Sequence, residues 1–468
     1  MSKPTQIFDL TAVALLEAYR SGALSPVEAM QDVLRRIDRY EPHIHATYLL
    51  APERALAEAR ASEERWRRGA PIGPLDGVPA TVKDNIATRG EPTPVGAAAS
   101  DMTPAAADAP PAARLHEAGA IIFAKTTMPD YGMLSSGLSS FHPLARNPWR
   151  LDRNPGGSSA GAAAAAAAGY GPLHVGTDIG GSIRLPAGWC GLFGLKPSAG
   201  RVPIDPPYIG RVAGPLTRTV ADGALMMATL AQPDARDYTS MPQQDVDWTV
   251  QPTEPRGLRI GLLRDAGCGD PPAPQVRAAI ERAARDLEAA GAIVEPLAPF
   301  LTQEMLDGLD KFWRMRSLID LNALPSERRE KVLPFIRAWA ESADGLDGET
   351  VFHGFSQIVA MRKAAVVATQ PYDFVLSPTS PQTAHAAEAA SPSGDPLNPF
   401  PHIGFTVSFN MSEQPAASVN CGYSDDGLPI GLQIIGRRFD DAGVIGLSKT
   451  IEAMQASQAR PWPEPPGA

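Results

Sequence analysis

Cysteine is scarce in this chain: Cys190, Cys268 and Cys421 are the only three among 468 residues. They are too few for a disulfide framework and none stands in a C-x-x-C pair, which excludes a disulfide-stapled or dithiol-redox protein. Cys190 follows Trp189 in an apolar stretch and reads as a small buried hydrophobe. Long apolar runs are also missing. The longest is the alanine run 162–168, far short of the roughly 20 residues of a bilayer-crossing helix. The N-terminal MSKPTQIFDLTAVALLEAYR lacks the long apolar core of a secretory signal. The expectation is a cytoplasmic protein that does not engage a membrane. Positive charge is in deficit, with Lys+Arg 42 against Asp+Glu 52 and a formal net charge of −10. A moderately acidic chain holds polyanions poorly, so no nucleic acid is expected as a partner. No His/Cys/Asp cluster has metal-ligand spacing and no G-x-x-x-x-G-K-[ST] phosphate loop occurs, so neither a metal nor an organic cofactor is expected.

What is present is the composition of a globular enzyme, 44% hydrophobic and 20% charged, in a chain long enough to bury a large core. Residues 1–70 read as a helical N-terminal layer. Ser25-Pro26-Val27-Glu28 carries a capping box, and Val27, Met30, Val33, Leu34 and Ile37 follow at helical spacing. A second helix spans roughly 52–68. From Leu75 onward the texture changes to short apolar segments broken by Gly and Pro. Strands are expected at 77–83, with Lys83 at the end, and at 120–124. Residues 160–169, almost pure alanine, read as a tightly packed buried helix. Further strands are expected at 258–263, 293–294 and 373–376. The apolar segments 417–423 and 429–435 flank Asp425-Asp426-Gly427, a hairpin signal. Alternating strands and helices give an α/β fold, a large mixed sheet with helices on both faces. No long linker separates the parts. Residues 71–468 are therefore expected to form a catalytic core continuous with the N-terminal layer, with a variable, mostly helical region at about 235–370.

Chemistry concentrates in three segments. Gly176 to Gly188 reads GTDIGGSIRLPAG, placing the Ser182 hydroxyl after two glycines, where backbone N–H groups can approach a carbonyl unobstructed. Upstream stand PGGSSAG (Pro155 to Gly161) and PATVKDN (Pro79 to Asn85). A lysine serves as a base only if burial or neighbouring cations lower its pKa, and Lys83 ends an apolar strand. Taken alone it also reads as a surface lysine paired with Asp84. Ser158 and Ser159 precede the alanine helix as N-cap candidates. Gly157-Ser158-Ser159-Ala160-Gly161 also satisfies G-x-S-x-G, a nucleophile elbow centred on Ser159. That reading needs a catalytic histidine, for which His353, His385 and His402 are available.

Together the three segments resemble the amidase signature family. The matching motifs are Val82-Lys83-Asp84-Asn85, Gly156-Gly157-Ser158-Ser159 and Gly176 to Arg184, and the spacings between them are also similar. The similarity continues through Gly194-Leu195-Lys196-Pro197-Ser198 and Gly214-Pro215-Leu216-Thr217-Arg218 to Gly427-Leu428-Pro429-Ile430-Gly431-Leu432-Gln433, nearly the whole chain. The resemblance implies Ser182 as nucleophile, Ser158 as bridging serine on a cis peptide, and Lys83 as neutral base. It implies an oxyanion hole from the N–H groups of Ile179, Gly180, Gly181 and Ser182. Asp178 and Arg184 would brace the loop, with Thr177 and Ser159 in support. Ala160 departs from the family pattern by replacing a glycine after the two serines.

For the substrate pocket, Tyr131, Met133, Tyr208, Ile209, Phe312 and Trp313 are candidates. No Arg or Lys cluster falls near these segments, so the favoured reaction is hydrolysis of a neutral small-molecule amide, aryl amide or carbamate. A homodimer is the assembly that the family suggests. The alternatives are the glutaminase (A) subunit of a tRNA-dependent amidotransferase, which works with partner chains, and a non-catalytic scaffold.

Overall fold

The apolar segments pair into one 11-stranded sheet in the computed structural model, which describes residues 6–464. The strands are β1 (Thr47–Tyr48), β2 (Pro79–Lys83), β3 (Ile121–Thr126), β4 (Leu173–Asp178), β5 (Phe193–Lys196), β6 (Val212–Thr217), β7 (Arg259–Leu263), β8 (Ile293–Leu297), β9 (Phe374–Pro378), β10 (Ala416–Tyr423) and β11 (Pro429–Gly436). Across the sheet they run β1-β3-β2-β4-β6-β5-β10-β11-β9-β7-β8. Parallel pairing holds β3, β2 and β4 together at one side and β8, β7 and β9 at the other. Antiparallel pairs fill the middle, including the expected β10–β11 hairpin. The α/β expectation of a mixed sheet layered by helices is met.

The parallel strands β2, β3 and β4 are buried along their whole length, as strands covered on both faces must be. The helix Ala160–Ala168 lies wholly inside, each of its alanines at 0% exposure. Its small side chains let β2, β3, β4 and β6 pack closely around it. Toward the N-terminus, Ser25 Oγ accepts the Glu28 N–H (3.2 Å) while Glu28 Oε2 accepts the Ser25 N–H (2.8 Å), completing the expected capping box. The strands β4, β5 and β6 were not legible in the sequence. They are short, and four of their residues are glycine or proline that serve close packing rather than strand propensity. Among the described residues no helix is long and apolar enough to cross a membrane.

Candidate active site

Parallel neighbours end at the same edge of a sheet, and ligands in α/β folds bind beyond those carboxyl ends. β2 and β4 are such neighbours, with Val82 opposite Val175. Lys83 and Thr177 therefore emerge side by side, and Lys83 Nζ donates to Thr177 Oγ1 at 3.0 Å. Asn85 Nδ2 donates to the same oxygen at 3.1 Å. Thr177 thus pins the lysine, and Asn85 pins Thr177. The sequence motif contained Asn85, but only the fold gives it this role.

Ser158 is brought to the lysine by the turn before the alanine helix, where Gly156 has φ +90° and the Gly157–Ser158 peptide is cis. Lys83 Nζ is hydrogen-bonded to Ser158 Oγ at 2.8 Å. Ser158 and Ser182 line one cavity of about 650 Å³, and the Ser159 N–H donates to the Ser182 carbonyl at 3.2 Å, tying the two serine segments together. Lys83 has no exposed surface. Burial drives its amine well below the ordinary lysine range, and the nearby Arg211 charge lowers it further, against the pull of Asp178 and Asp84. The surface reading of Lys83 is set aside. Asp84 turns away instead, accepting the Gly96 N–H at 2.7 Å and meeting His142 Nε2 at 2.9 Å.

The loop after β4 is held by an ion pair with no exposed surface on either side chain. Arg184 Nε and Nη2 each donate to Asp178 at 3.0 Å. Arg184 Nη1 reaches Gln433 Oε1 (2.6 Å) and the Thr406 carbonyl (2.9 Å), anchoring the loop to the far half of the sheet. Burial by itself would raise the Asp178 pKa. The Arg184 charge, with hydrogen bonds from Arg184, Asn410 and the Ile183 N–H, outweighs it and holds the carboxyl below the usual range. Asp178 also takes the Gly181 N–H at 2.8 Å, so that group is committed to the loop. The N–H groups of Ile179, Gly180 and Ser182 have no partner among the described residues. Of the four N–H groups expected as oxyanion donors, these three are free and that of Gly181 is bonded within the loop.

Ser159 is fully buried. Its Oγ donates to the Thr177 carbonyl (3.2 Å) and accepts the Thr177 N–H (3.3 Å). This is a brace between strand and helix, and the elbow reading falls. His353 lies on an exposed helix beside Glu304, while His402 meets Ser135. His385 Nε2 meets the Ala389 carbonyl at 3.3 Å, and none of the three histidines bonds Ser159.

Of the pocket candidates, Tyr131, Met133 and Tyr208 line the main cavity, and Trp313 with Met133 lines an apolar recess beside Ser182. Ile209 is 42% exposed and lies outside both. Phe312 packs on Phe355 instead, centroids 5.5 Å apart. It adjoins Trp313 on the helix Gln303–Ala323, and successive helical residues face different ways. The cavity also gathers Arg211 and Arg316, a cationic pair that sequence order concealed.

Residues 28–445 match the family model described as Amidase. The chain belongs to the amidase signature family. A bacterial aryl acylamidase of the amidase signature family superposes with TM-score 0.87 at 29% identity, covering 95% of this chain and 96% of that one. The native peptide amidase of Stenotrophomonas maltophilia gives 0.82 at 27% identity, covering 98% and 99%. In sequence, the chain is similar to the A subunit of glutamyl-tRNA(Gln) amidotransferase from Chloroflexus aggregans, 36% identical across 94% of this chain and 95% of that protein. Members of this family hydrolyse carbon–nitrogen amide bonds, and this chain shares that general activity.

The relatives correct one expectation. A small-molecule amide handled as a homodimer, with no nucleic acid involved, does not fit relatives such as this one, which form part of an amidotransferase for a charged tRNA. The net charge of −10 describes this chain's own average. It has no bearing on an RNA held by another member of an assembly.

Proposed function

We propose that Ser182 is the nucleophile of a glutaminase reaction, and that the chain supplies ammonia as the A subunit of an amidotransferase. The observation that carries the chemistry is the buried Lys83 amine at 2.8 Å from Ser158 Oγ, in a cavity shared with Ser182. A neutral amine in that position accepts the Ser158 proton as Ser158 accepts that of Ser182. Ser182 Oγ then bonds to the amide carbon, and the negative charge on the carbonyl oxygen is met by the free N–H groups of Ile179, Gly180 and Ser182. The proton returns through Ser158 to the leaving nitrogen, and the C–N bond breaks to leave an ester on Ser182. Water, deprotonated along the same route, hydrolyses that ester and releases glutamate. The amidotransferase relatives support glutamine as the amide, at 34–36% identity over nearly the full chain.

A second reading has its own support. The recess beside Ser182 is walled by Met133, Leu134, Trp313, Phe400 and Ile403, apolar groups suited to an aryl or alkyl amide such as the named substrate class of the aryl acylamidase. Intact-mass spectrometry after brief incubation with glutamine or with an anilide separates the two readings. A glutamyl adduct on Ser182, absent in Ser182→Ala, supports the first. An acyl adduct from the anilide alone supports the second.

A further inference from the structure

We infer that Arg211 and Arg316 form the anion-binding end of the substrate cavity and select an amide that carries a carboxylate. The inference rests on the amide-hydrolase reading above and names the chemistry its substrate must bring. Both arginines line the cavity of Ser158 and Ser182, although they come from distant segments. Both are partly buried, and neither makes an ion pair with a carboxylate among the described residues. Arg211 Nη1 donates only to the Pro206 carbonyl, at 3.1 Å. The Arg316 guanidinium lies over the Tyr208 ring, 4.9 Å from its centroid, with Nη2 at 3.2 Å from Met133 Sδ. Its Nε is buried with no hydrogen-bond partner.

Two guanidiniums near enough to repel, partly withdrawn from water and without an ion-paired carboxylate, are an unfavourable arrangement on their own. Burial and the Arg316 charge both act against the charged form of Arg211, outweighing the opposing pull of the exposed Asp205. A planar carboxylate removes the penalty, because guanidinium forks match its geometry and charge-assisted hydrogen bonds form at both oxygens. Asp205 and Asp320 also line the cavity but are exposed, and they leave the arginine forks free to take a ligand. Tyr208 and Met133 hold Arg316 in place, so Tyr208 acts as a positioning residue rather than a bare apolar wall.

The test is calorimetric binding to the full-length Ser182→Ala protein, which retains substrate uncleaved. Two matched pairs serve as probes: glutamine with its α-carboxamide, and succinanilic acid with its carboxamide. The expected result is tighter binding of the carboxylate member of at least one pair. Arg316→Gln and Arg211→Gln should each weaken that member about 10- to 100-fold while leaving its carboxamide unchanged. Arg316→Lys, which keeps the charge, should recover part of the loss, and a fold defect would not produce that pattern. Preference within the succinanilate pair alone upholds the arginine assignment and defeats the glutaminase reading. Equal or absent binding of both members in both pairs overturns the inference, as does an equal loss for carboxylate and carboxamide in the arginine variants.

Discussion

Arg184→Met tests whether buried electrostatics hold the loop that presents Ser182. Methionine keeps the apolar length but leaves the Asp178 carboxylate, which has no exposed surface, facing only neutral donors: the N–H groups of Gly181 (2.8 Å), Ile183 (3.0 Å) and residue 184 itself (3.4 Å), and Asn410 Nδ2 (2.8 Å). Breaking one side of a buried pair costs about 3–5 kcal/mol. Unfolding entropy of about 2.1 cal/mol/K per residue amounts to roughly 1 kcal/mol/K at this length, so the melting temperature should fall by about 3–5 °C. Turnover should fall about 100-fold or more, because an ångström of misplacement at the nucleophile is enough for that. Adding Asp178→Asn removes the stranded charge and should recover about 0.5–3 kcal/mol relative to the sum of the two single losses. The pH dependence has a fixed sign. Asp178 is held below its usual range, so the pair's contribution is complete above the unfolded carboxylate pKa of about 3.9 and is lost as pH falls through the lower folded value. Scanning calorimetry at one heating rate, with turnover in parallel, reads all of this. An Arg184→Met protein that melts with the wild type, or a double variant whose loss equals the sum of the singles, refutes the reasoning.

Lys83→Met should lower kcat by about 100- to 10,000-fold with no loss of melting temperature, since it removes the base and a buried amine together; a fall in both would point to a structural lysine. Arg211 is one of the causes lowering the Lys83 pKa, so Arg211→Gln should move the acid limb of the pH–kcat/KM profile upward, and a limb that stays put or moves down counts against it. Ser158→Ala should abolish turnover. Ser159→Ala, which removes only a brace on Thr177, should keep most of the activity and lose about 1 kcal/mol of stability; a dead Ser159→Ala enzyme with normal melting would restore the elbow reading. Asp222 is pushed up to about 7 by burial, with backbone and Thr219 hydrogen bonds opposing. Its folded form binds a proton that the unfolded form has shed between about pH 4 and 7, so it erodes stability as pH rises through that window. Asp222→Asn should therefore raise the melting temperature at pH 8 more than at pH 4.5, and an equal change at both would show that the carboxyl does not titrate as argued.

The residues proposed as the triad, Lys83, Ser158 and Ser182, were legible because each stands in a contiguous motif. A hydroxyl behind two glycines and a lysine at the end of an apolar strand each carry local information. The helices of the N-terminal layer were legible for the same reason, since caps and 3.6-residue spacing are local. The strands β4 to β6 were not, because their glycines and prolines answer to neighbours brought in from elsewhere in the chain.

By itself the sequence determined the family and an α/β architecture and named the groups proposed to react, all from residues close together along the chain. The tertiary structure decided which of those groups are free to react. Asp178 claims the Gly181 N–H, Thr177 claims the Ser159 hydroxyl, and burial, with Arg211 nearby, lowers the Lys83 pKa. It also turned Phe312 and Ile209 away from the cavity and set Arg211 beside Arg316 within it. Charge state and free hydrogen-bonding capacity depend on what surrounds a group in space, and those surroundings exist only once distant segments have packed together.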